Sequence, residues 1–532
     1  MYFKIKTAVQ AGLGRFQWRL LAVCAAGAAL ETAELGSAPL AAPGQQRELC
    51  GSAPAGAVGA AMAAGALAWG HLADRLGRRR ALLFAMAVQA VFSAVAAAAM
   101  PTRGLFLALR LCSGFGAGGA LPVVVIYWCE FLARKQRGLH FGWLFIFWAL
   151  GGVSVAGLAW ALLPKTGMSM LDMKKPHFSS WRVYLLAMAL PVLLAAGALV
   201  FLPESPRFLM EVERDNEAVY IYQQIFNTNL TSPVGSDYQL TDVEMPPRPI
   251  NPLPPPSSST CKRSMLKALG TIIERCWSSS FKILGARYCR DTVFLGLVWF
   301  LTSAGLYGGW AWLPARQSQL ASLDYDERAI RRSGLEIHDA VFTGTLENTH
   351  FVESTFINVT FERLLLSHCT FRQCVFIHCF FSDVHSSRTL FITSQFEDTS
   401  FADTDLQMHK FPGCVFNDSR FASTHAGCEA DFDINLRLSP AILIYLTLYL
   451  GLVPGVICAA LLVDRVGRVR VLMAGCGLAA AAGGLFWTSA PLLALAPLLG
   501  ATASLSATVL PLLSLEVYST NVRYSICSSK CR

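Results

Sequence analysis

The amino-acid sequence predicts a polytopic α-helical membrane protein that carries a separate repeat domain on the non-cytoplasmic side of the bilayer. Three observations predict this class. Of the 532 residues, 54% are hydrophobic and only 15% are charged, whereas soluble domains carry about a quarter charged residues. Apolar stretches of the roughly twenty residues that a helix needs to cross a bilayer recur along the chain. A strict five-residue repeat lies between two groups of these stretches.

The apolar stretches divide the chain into membrane spans and polar regions. We expect spans at about residues 19–42, 54–73, 81–101, 104–128, 140–163, 182–202, 291–314, 438–463, 470–488 and 491–515. The expected domains are a short cytoplasmic N-terminus (1–18), a six-span bundle (19–203), a cytoplasmic Pro-rich loop (204–290), span seven (291–315), a luminal repeat domain (316–437), spans eight to ten (438–517) and a C-terminal tail (518–532).

Basic residues in the short loops set the orientation, because cytoplasmic loops hold the excess of Lys and Arg. Clusters follow the second, fourth and eighth spans, at residues 75–80, 134–137 and 465–470. The opposite loops are poor in basic residues, apart from the one between spans five and six. We therefore expect region 316–437 on the luminal or extracellular side. The net charge of +9 reflects these clusters, so nucleic-acid binding is not expected.

The repeat region has a period of five. From Phe351 to Phe421, Phe or Leu recurs at every fifth position, and only Ser386 breaks the series. This period fits neither helix nor strand and predicts a solenoid whose coils share one core. The pattern resembles the pentapeptide-repeat family, in which four five-residue faces form one square coil of a right-handed β-helix. About fifteen units would then give nearly four coils.

The repeat geometry predicts the state of two cysteines and two glycosylation sites. Cys374 and Cys414 fall on one face two coils apart, roughly 9–10 Å at the usual strand spacing, which is too far for a disulfide. We predict that both thiols stay free. Asn358 and Asn417 begin acceptor sequons in the luminal region and are predicted to carry glycans. A third sequon, at Asn229, falls in the cytoplasmic loop and should stay unmodified.

One loop motif occurs in both halves of the chain, and a motif at matching places signals an internal repeat. Its copies contain Asp74, Arg75, Gly77 and Arg78 after span two, and Asp464, Arg465, Gly467 and Arg468 after span eight. They resemble the loop motif of the major facilitator superfamily. Other segments resemble sugar-porter signatures at the cytoplasmic ends of spans four, six and ten, and contain Glu130 with Arg137, Glu204 with Arg207, and Glu516 with Arg523. The resemblance implies that all these residues act in conformational gating.

Four residues within the predicted spans are candidates for a transport cavity. Glu31 and Glu34 share one face of span one, and acids at membrane depth indicate cation binding or proton relay. Hydration of both acids near the luminal surface is the alternative. Arg110 lies in a glycine-rich part of span four, and Trp148 in span five. One hypothesis is that five tryptophans line a ligand cavity, but a packing or interfacial role is expected for each; they are Trp148, Trp160, Trp299, Trp310 and Trp312. No catalytic constellation, metal site or cofactor is predicted, and we expect no enzyme activity.

A transporter bundle with a pentapeptide-repeat domain between spans seven and eight resembles the synaptic vesicle glycoprotein 2 family. The segments 14–18, 73–79 and 180–183 resemble it too. The resemblance implies a multi-pass synaptic vesicle membrane glycoprotein that supports calcium-triggered neurotransmitter release. It also implies calcium-sensor proteins as cytoplasmic partners and botulinum neurotoxin as a ligand of the luminal domain. The alternative function is secondary transport of a sugar-like or organic cation solute.

The chain departs from this family in three respects. The long charged N-terminus and the last two spans of the family are not matched, so we expect about ten of twelve spans and a chain truncated at both ends. A Trp and an acid of the family's span ten are replaced by Ala507 and Pro511.

Overall fold

The computed structural model describes residues 14–49, 55–98, 102–132, 137–166, 179–229, 289–424, 437–485 and 492–517. The helices are α1 (Arg15–Leu49), α2 (Ala55–Leu76), α3 (Arg78–Ala98), α4 (Arg103–Glu130), α5 (Arg137–Leu162), α6 (Ser180–Leu199), α7 (Pro206–Glu211), α8 (Asp215–Asn229), α9 (Cys289–Glu327), α10 (Leu438–Val466), α11 (Arg468–Leu485) and α12 (Leu492–Val517). Within these ranges, 10 helices are long and apolar enough to cross a membrane. This confirms the predicted number of spans.

The longest seam between the two halves of the bundle runs along α5 and α10. Glycines on α5 allow the two helices to approach each other closely. A Cβ atom on Gly138 would collide with the Asp464 carboxylate, and one on Gly152 would collide with the Tyr449 ring. At the other end of the seam, the Leu438 amide donates to the Lys165 carbonyl at 2.9 Å. Because glycine lets helices approach closely in membranes, this seam holds the halves together along its length.

Residues 330–424 form a parallel β-solenoid, which we call the prism. Its strands are β1 (Ile330–Ser333), β2 (Glu336–His338), β3 (Val341–Glu347), β4 (Thr349–Val352), β5 (Thr355–Ile357), β6 (Thr360–Ser367), β7 (Thr370–Arg372), β8 (Val375–Ile377), β9 (Phe380–Ser382), β10 (His385–Ser387), β11 (Leu390–Ile392), β12 (Gln395–Glu397), β13 (Ser400–Thr404), β14 (Val415–Asn417) and β15 (Arg420–Thr424). Each strand pairs in parallel with the strand one coil away, as Phe356, Phe376 and Phe396 show by sharing one register. In the central coils, the phenylalanines in the middle of the strands, from Phe351 to Phe401, point inward and are buried. The predicted solenoid is confirmed.

The prism has about five turns rather than the predicted four. The additional coil begins at Ile330, which pairs with Thr349, nineteen residues away instead of twenty. A register shift between Phe342 and Gly344 restores the spacing of twenty. The sequence pattern did not reveal this coil, because the coil is one residue shorter than the others. Its inward side chains therefore do not continue the five-residue spacing of the later coils.

The corners of the prism fall at fixed positions two residues after each buried middle residue. Asn358, His378 and Asp398 each have φ between +45° and +54°, a left-handed conformation that Asn, Asp and His tolerate better than most residues. Most corners adopt this conformation without glycine, and some are also joined to the next coil by side-chain hydrogen bonds, as between His378 and Asp398 at 2.7 Å.

Inside the prism, a column of small polar side chains and cysteines runs beside the column of stacked phenylalanines, which we call the aromatic ladder. The Cys374 amide donates to Ser394 Oγ at 3.2 Å, and the Ser394 amide donates to Cys414 Sγ at 3.4 Å. Ser394 therefore separates the two cysteines, and both are free, as predicted. Burial raises the pKa of Cys369 and of Cys374 to about 11, which keeps these thiols protonated.

Ser386, which breaks the repeat, is compensated by two polar neighbours. It shares a register with Leu366 on the preceding coil. Its hydroxyl donates to Asp405 Oδ1 at 2.7 Å, and the buried Lys410 ammonium donates to the same hydroxyl. The alkyl chain of Lys410 brings apolar volume to a place where the repeat would put a leucine or phenylalanine.

Helix α9 continues well beyond the predicted end of span seven near residue 314. It runs without a break to Glu327, and only Arg328 and Ala329 separate it from β1. The sequence after residue 314 is polar but contains strong helix formers such as Ala, Arg, Gln and Leu. The loss of hydrophobicity marks where the chain leaves the apolar region, not where the helix ends.

Candidate functional site

The two acids of α1 lie in different environments although they are three residues apart. A spacing of three turns the helix by about 300°, so the side chains diverge by about 60°. Glu34 Oε1 lies 2.8 Å from an Arg110 guanidinium nitrogen, and both side chains are buried. A small pocket beside the pair is lined by Ser37 and Ser93 among others. The charge of Glu34 is thus neutralised within the first half of the bundle.

Glu31 is 8% exposed and is contacted by neutral donors. The Trp148 indole N–H donates to its Oε2 at 3.3 Å, and the Tyr307 hydroxyl donates to its Oε1 at 3.4 Å. Among the described residues, no Lys, Arg or His nitrogen lies within 4 Å of this carboxylate. A buried carboxylate without a countercharge is costly, so Glu31 is the acid of this pair that can take up a proton or a cation.

Four aromatic side chains, Trp148, Tyr307, Trp310 and Tyr449, form one network of ring contacts, and we call them the aromatic box; two of them donate to Glu31. Trp310 stacks on Trp148 with ring centroids 5.9 Å apart, and it meets Tyr307 and Tyr449 edge to face at 5.2 Å. The box joins α1 and α5 of the first half with α9 and α10 of the second. A movement of one half relative to the other would therefore change the contacts within the box.

Two donors in the aromatic box have no hydrogen-bond partner among the described residues. The Trp310 Nε1 and the Tyr449 hydroxyl are both buried and unpaired. An unsatisfied buried donor costs about 1–3 kcal/mol. The box and the adjacent Glu31 thus present two unsatisfied donors and one carboxylate.

The structure brings together Glu31 and Trp148, and it pairs Glu34 with Arg110 away from them. The sequence did not single out Tyr307 or Tyr449, and it favoured a packing or interfacial role for Trp310. A polar aromatic residue within an apolar span was the available signal for the two tyrosines. Of the other tryptophans, Trp160 and Trp312 are exposed, and Trp299 donates to Ser514 Oγ at 2.8 Å.

The predicted gating residues form an ion-pair cluster in the first half. Arg78 is 1% exposed and lies 3.9 Å from Asp74, 3.4 Å from Glu130 and 3.5 Å from Glu211. Glu204 accepts a hydrogen bond from the Arg79 amide at 3.0 Å. Gly77, with φ of +101°, turns the chain between α2 and α3. The cluster ties the end of α2 to the helices that follow α6.

The equivalent cluster of the second half is smaller. Arg468 lies 3.6 Å from Asp464 and also pairs with Glu516. Gly467 turns the chain between α10 and α11 with φ of +103°. Arg75 and Arg465 are exposed, and Arg523 lies outside the described residues.

Between the two clusters lies a small pocket that borders both halves. Its polar lining consists of Glu130, Arg137, Arg207 and Glu516. Arg207 contacts Glu211 at 3.8 Å, and Arg137 donates to the Leu132 carbonyl at 3.4 Å. The predicted gating residues thus converge at one end of the bundle, where the α5–α10 seam also passes.

The three sequons differ in their surroundings. Asn417 is exposed at the end of β14, and Asn358 is a corner residue whose side-chain amide donates to Asp339. The Asn229 side chain instead accepts from the Phe16 amide at 3.1 Å and donates to Gln17 Oε1 at 3.0 Å. It closes the start of α1 from a distant part of the chain, in the manner of a helix cap. Glycosylation of Asn358 and Asn417 stays a prediction.

Comparisons with known proteins agree with this architecture. A family described as sugar and other transporters matches residues 44–240, and a family described as the SV2A/B/C luminal domain matches residues 332–421. Human synaptic vesicle glycoprotein 2B is 33% identical over 474 residues, which cover 87% of this chain and 69% of that protein. Bovine (Bos taurus) synaptic vesicle glycoprotein 2A is 33% identical over 531 residues, which cover 97% of this chain and 71% of that protein.

Among solved structures, the proton:xylose symporter XylE bound to 6-bromo-6-deoxy-D-glucose is similar, with a TM-score of 0.54 and 13% sequence identity. The match covers 97% of this chain and 86% of the symporter. At this identity the likeness shows the fold, which is that of the major facilitator superfamily.

Proposed function

The chain belongs to the synaptic vesicle glycoprotein 2 family, and from this membership we propose that it is a multi-pass glycoprotein of synaptic vesicle membranes that supports calcium-triggered neurotransmitter exocytosis. One observation carries the proposal: the residues that match the family's luminal domain coincide with the prism. Bovine synaptic vesicle glycoprotein 2A also aligns with the transporter bundle around the prism. In this proposal the prism faces the vesicle lumen and the gating clusters face the cytosol, where vesicle calcium-sensor proteins would bind.

Release measurements test this function. Neurons that lack their own members of the family would be supplied with the chain, and evoked and spontaneous postsynaptic currents would be recorded. We expect evoked release to rise toward the normal level. A chain that reaches vesicles and leaves evoked release at the deficient level would contradict the proposal. A protease-protected prism in intact vesicles would verify the orientation independently.

Toxin binding is a finer part of the same proposal. We expect the receptor-binding fragment of botulinum neurotoxin to bind vesicles from these neurons only after the lumen has been exposed by exocytosis. Binding that is equal before and after exocytosis, or absent in both, would contradict the prism as its receptor surface.

Secondary transport of a small solute is the second candidate, and the environment of Glu31 favours it. A buried carboxylate with no cation beside it is unfavourable by several kcal/mol. A solute that brings a positive charge would remove this cost. Aromatic faces also attract cations, and the unpaired donors of Trp310 and Tyr449 would be satisfied by an acceptor oxygen. An organic cation that carries an acceptor group therefore suits the aromatic box better than an uncharged sugar does.

Uptake into reconstituted vesicles separates the candidates. We would compare radiolabelled choline with xylose in the unchanged protein, in Glu31→Gln, and in the double variant Glu34→Gln with Arg110→Gln. The double variant removes the buried ion pair as a unit, so no charge is stranded. Choline uptake that falls at least tenfold in Glu31→Gln and persists in the double variant would support transport.

The opposite results are equally informative. Equal uptake by Glu31→Gln and the unchanged protein would exclude Glu31 as the solute site. If no variant shows flux while Glu31→Gln restores evoked release fully, then the non-transporting regulator is the correct function.

A further inference from the structure

Helix α9 connects the prism to the aromatic box as one uninterrupted element. It has 39 residues and a length of about 58 Å at 1.5 Å per residue. Tyr307 near its middle and Tyr325 near its end are eighteen residues apart. That spacing is five full turns, so both side chains leave the same face of the helix, about 27 Å apart.

The C-terminal end of α9 is held against the prism by a set of contacts that we call the joint. The Asn348 amide group donates to the Tyr325 carbonyl at 2.6 Å, and the Tyr325 hydroxyl donates to Glu347 Oε1 at 2.7 Å. The Tyr325 ring lies 4.9 Å from the His368 ring. The first residue of β1 also belongs to the joint, because the Ile330 amide donates to the Asn348 carbonyl at 2.9 Å. A connection of two residues, bonded on both sides, leaves little room for independent rotation.

The middle of α9 is fastened to the aromatic box. The Tyr307 hydroxyl contacts Glu31, and the Trp310 ring lies against Trp148. The Trp310 carbonyl accepts from the Tyr445 hydroxyl at 3.0 Å. Elsewhere α9 is the least enclosed of the ten candidate spans described. Its position in the bundle therefore depends on few contacts, which are those of the aromatic box and those with α12, such as the Trp299 hydrogen bond to Ser514.

We propose that α9 is a rigid shaft that couples the prism to the aromatic box. A force or a ligand that acts on the prism would then change the conformation of the box, and a change in the box would act on the prism. A tilt of about 5° moves a point 27 Å away by about 2 Å. The Tyr307–Glu31 contact of 3.4 Å does not survive such a displacement, because hydrogen bonds weaken steeply with distance. Coupling of this kind is reciprocal.

Hydrogen exchange in the full chain, held in lipid nanodiscs, tests the shaft. The double variant Tyr325→Ala with Asn348→Ala releases the joint. Its control, Asp324→Ala with Arg328→Ala, removes an exposed ion pair of 2.8 Å in the same turn and leaves the joint intact. We expect amide exchange in the segment 305–313 to accelerate at least fivefold in the first variant and to change less than twofold in the control.

Two further measurements keep the result interpretable. Protection of the Cys374 thiol reports that the prism is still folded in both variants. In the reverse direction, Trp310→Ala should accelerate exchange of the Ile330 amide, which is hydrogen-bonded at the joint. An intact prism, a released joint and unchanged exchange in 305–313 would overturn the shaft. This outcome does not depend on which solute, if any, the box binds.

Discussion

The inward aromatic ladder is the main source of stability in the prism, and Phe376→Ala tests this directly. Phe376 has no exposed surface. Its ring stacks on Phe356 and on Phe396, each at 4.8 Å, with interplanar angles of 6° and 4°. The substitution would open a cavity in the middle of the prism and remove both stacked pairs.

The expected loss follows from these contacts. Truncating a buried phenylalanine to alanine costs about 3–5 kcal/mol, and each aromatic pair contributes about 0.5–1.5 kcal/mol beyond the buried area. With two stacked pairs we expect a value of about 4 kcal/mol. Since every 1.4 kcal/mol is a factor of ten, the open fraction of the prism should rise by about three orders of magnitude.

The matched control is Phe380→Ala, four residues further along the chain. Phe380 is 41% exposed on the outer side of β9, and truncation of an exposed side chain costs about 0.5 kcal/mol. Pulse labelling of Cys374 in increasing urea, followed peptide by peptide with mass spectrometry, would measure opening in both variants. Equal opening in the two variants would refute the inward ladder as the source of stability.

Three other predictions concern the prism. Burial raises the pKa of the Cys374 thiol from 9.0 to about 11, so its stabilising contribution is complete below pH 9 and is lost as the pH rises toward 11. The melting temperature should therefore fall less between pH 8 and 10.5 in Cys374→Ser, and an equal fall would contradict this. Ser386→Leu should destabilise the prism by about 1–3 kcal/mol, because it removes the hydroxyl that accepts from the buried Lys410 ammonium; adding Lys410→Met should recover most of this loss in urea titrations, and no recovery would count against the pairing. Asn417→Gln should increase gel mobility by one glycan, and unchanged mobility would show that this sequon is not used.

Local patterns in the sequence determined the architecture. A spanning helix satisfies its own backbone hydrogen bonds, so its length and apolarity are visible without knowledge of its neighbours. The same holds for the prism, where one large side chain in every five residues must face the shared core. The sequence also predicted the free state of Cys374 and Cys414, because the repeat fixes the distance between coils.

The sequence predicted the candidate site only in part. It placed Glu31 and Glu34 on one helix and proposed one role for both. It included Trp148 among the cavity residues, and expected Trp310 to have a packing or interfacial role. The tertiary structure pairs Glu34 with Arg110 and leaves Glu31 among aromatic rings. It also places Trp310 against Trp148.

Only the tertiary structure could decide these assignments, because the partners come from helices far apart in the chain. Glu31 meets Tyr307 across the boundary between the two halves, and no local pattern encodes which of two neighbouring acids finds the arginine. The length of α9 was hidden for a related reason. A polar sequence that leaves the membrane continues as a helix when a docked domain holds its end, and that docking depends on Asn348 and Tyr325. Periodicity fixes which face a residue occupies, whereas packing decides what that face meets.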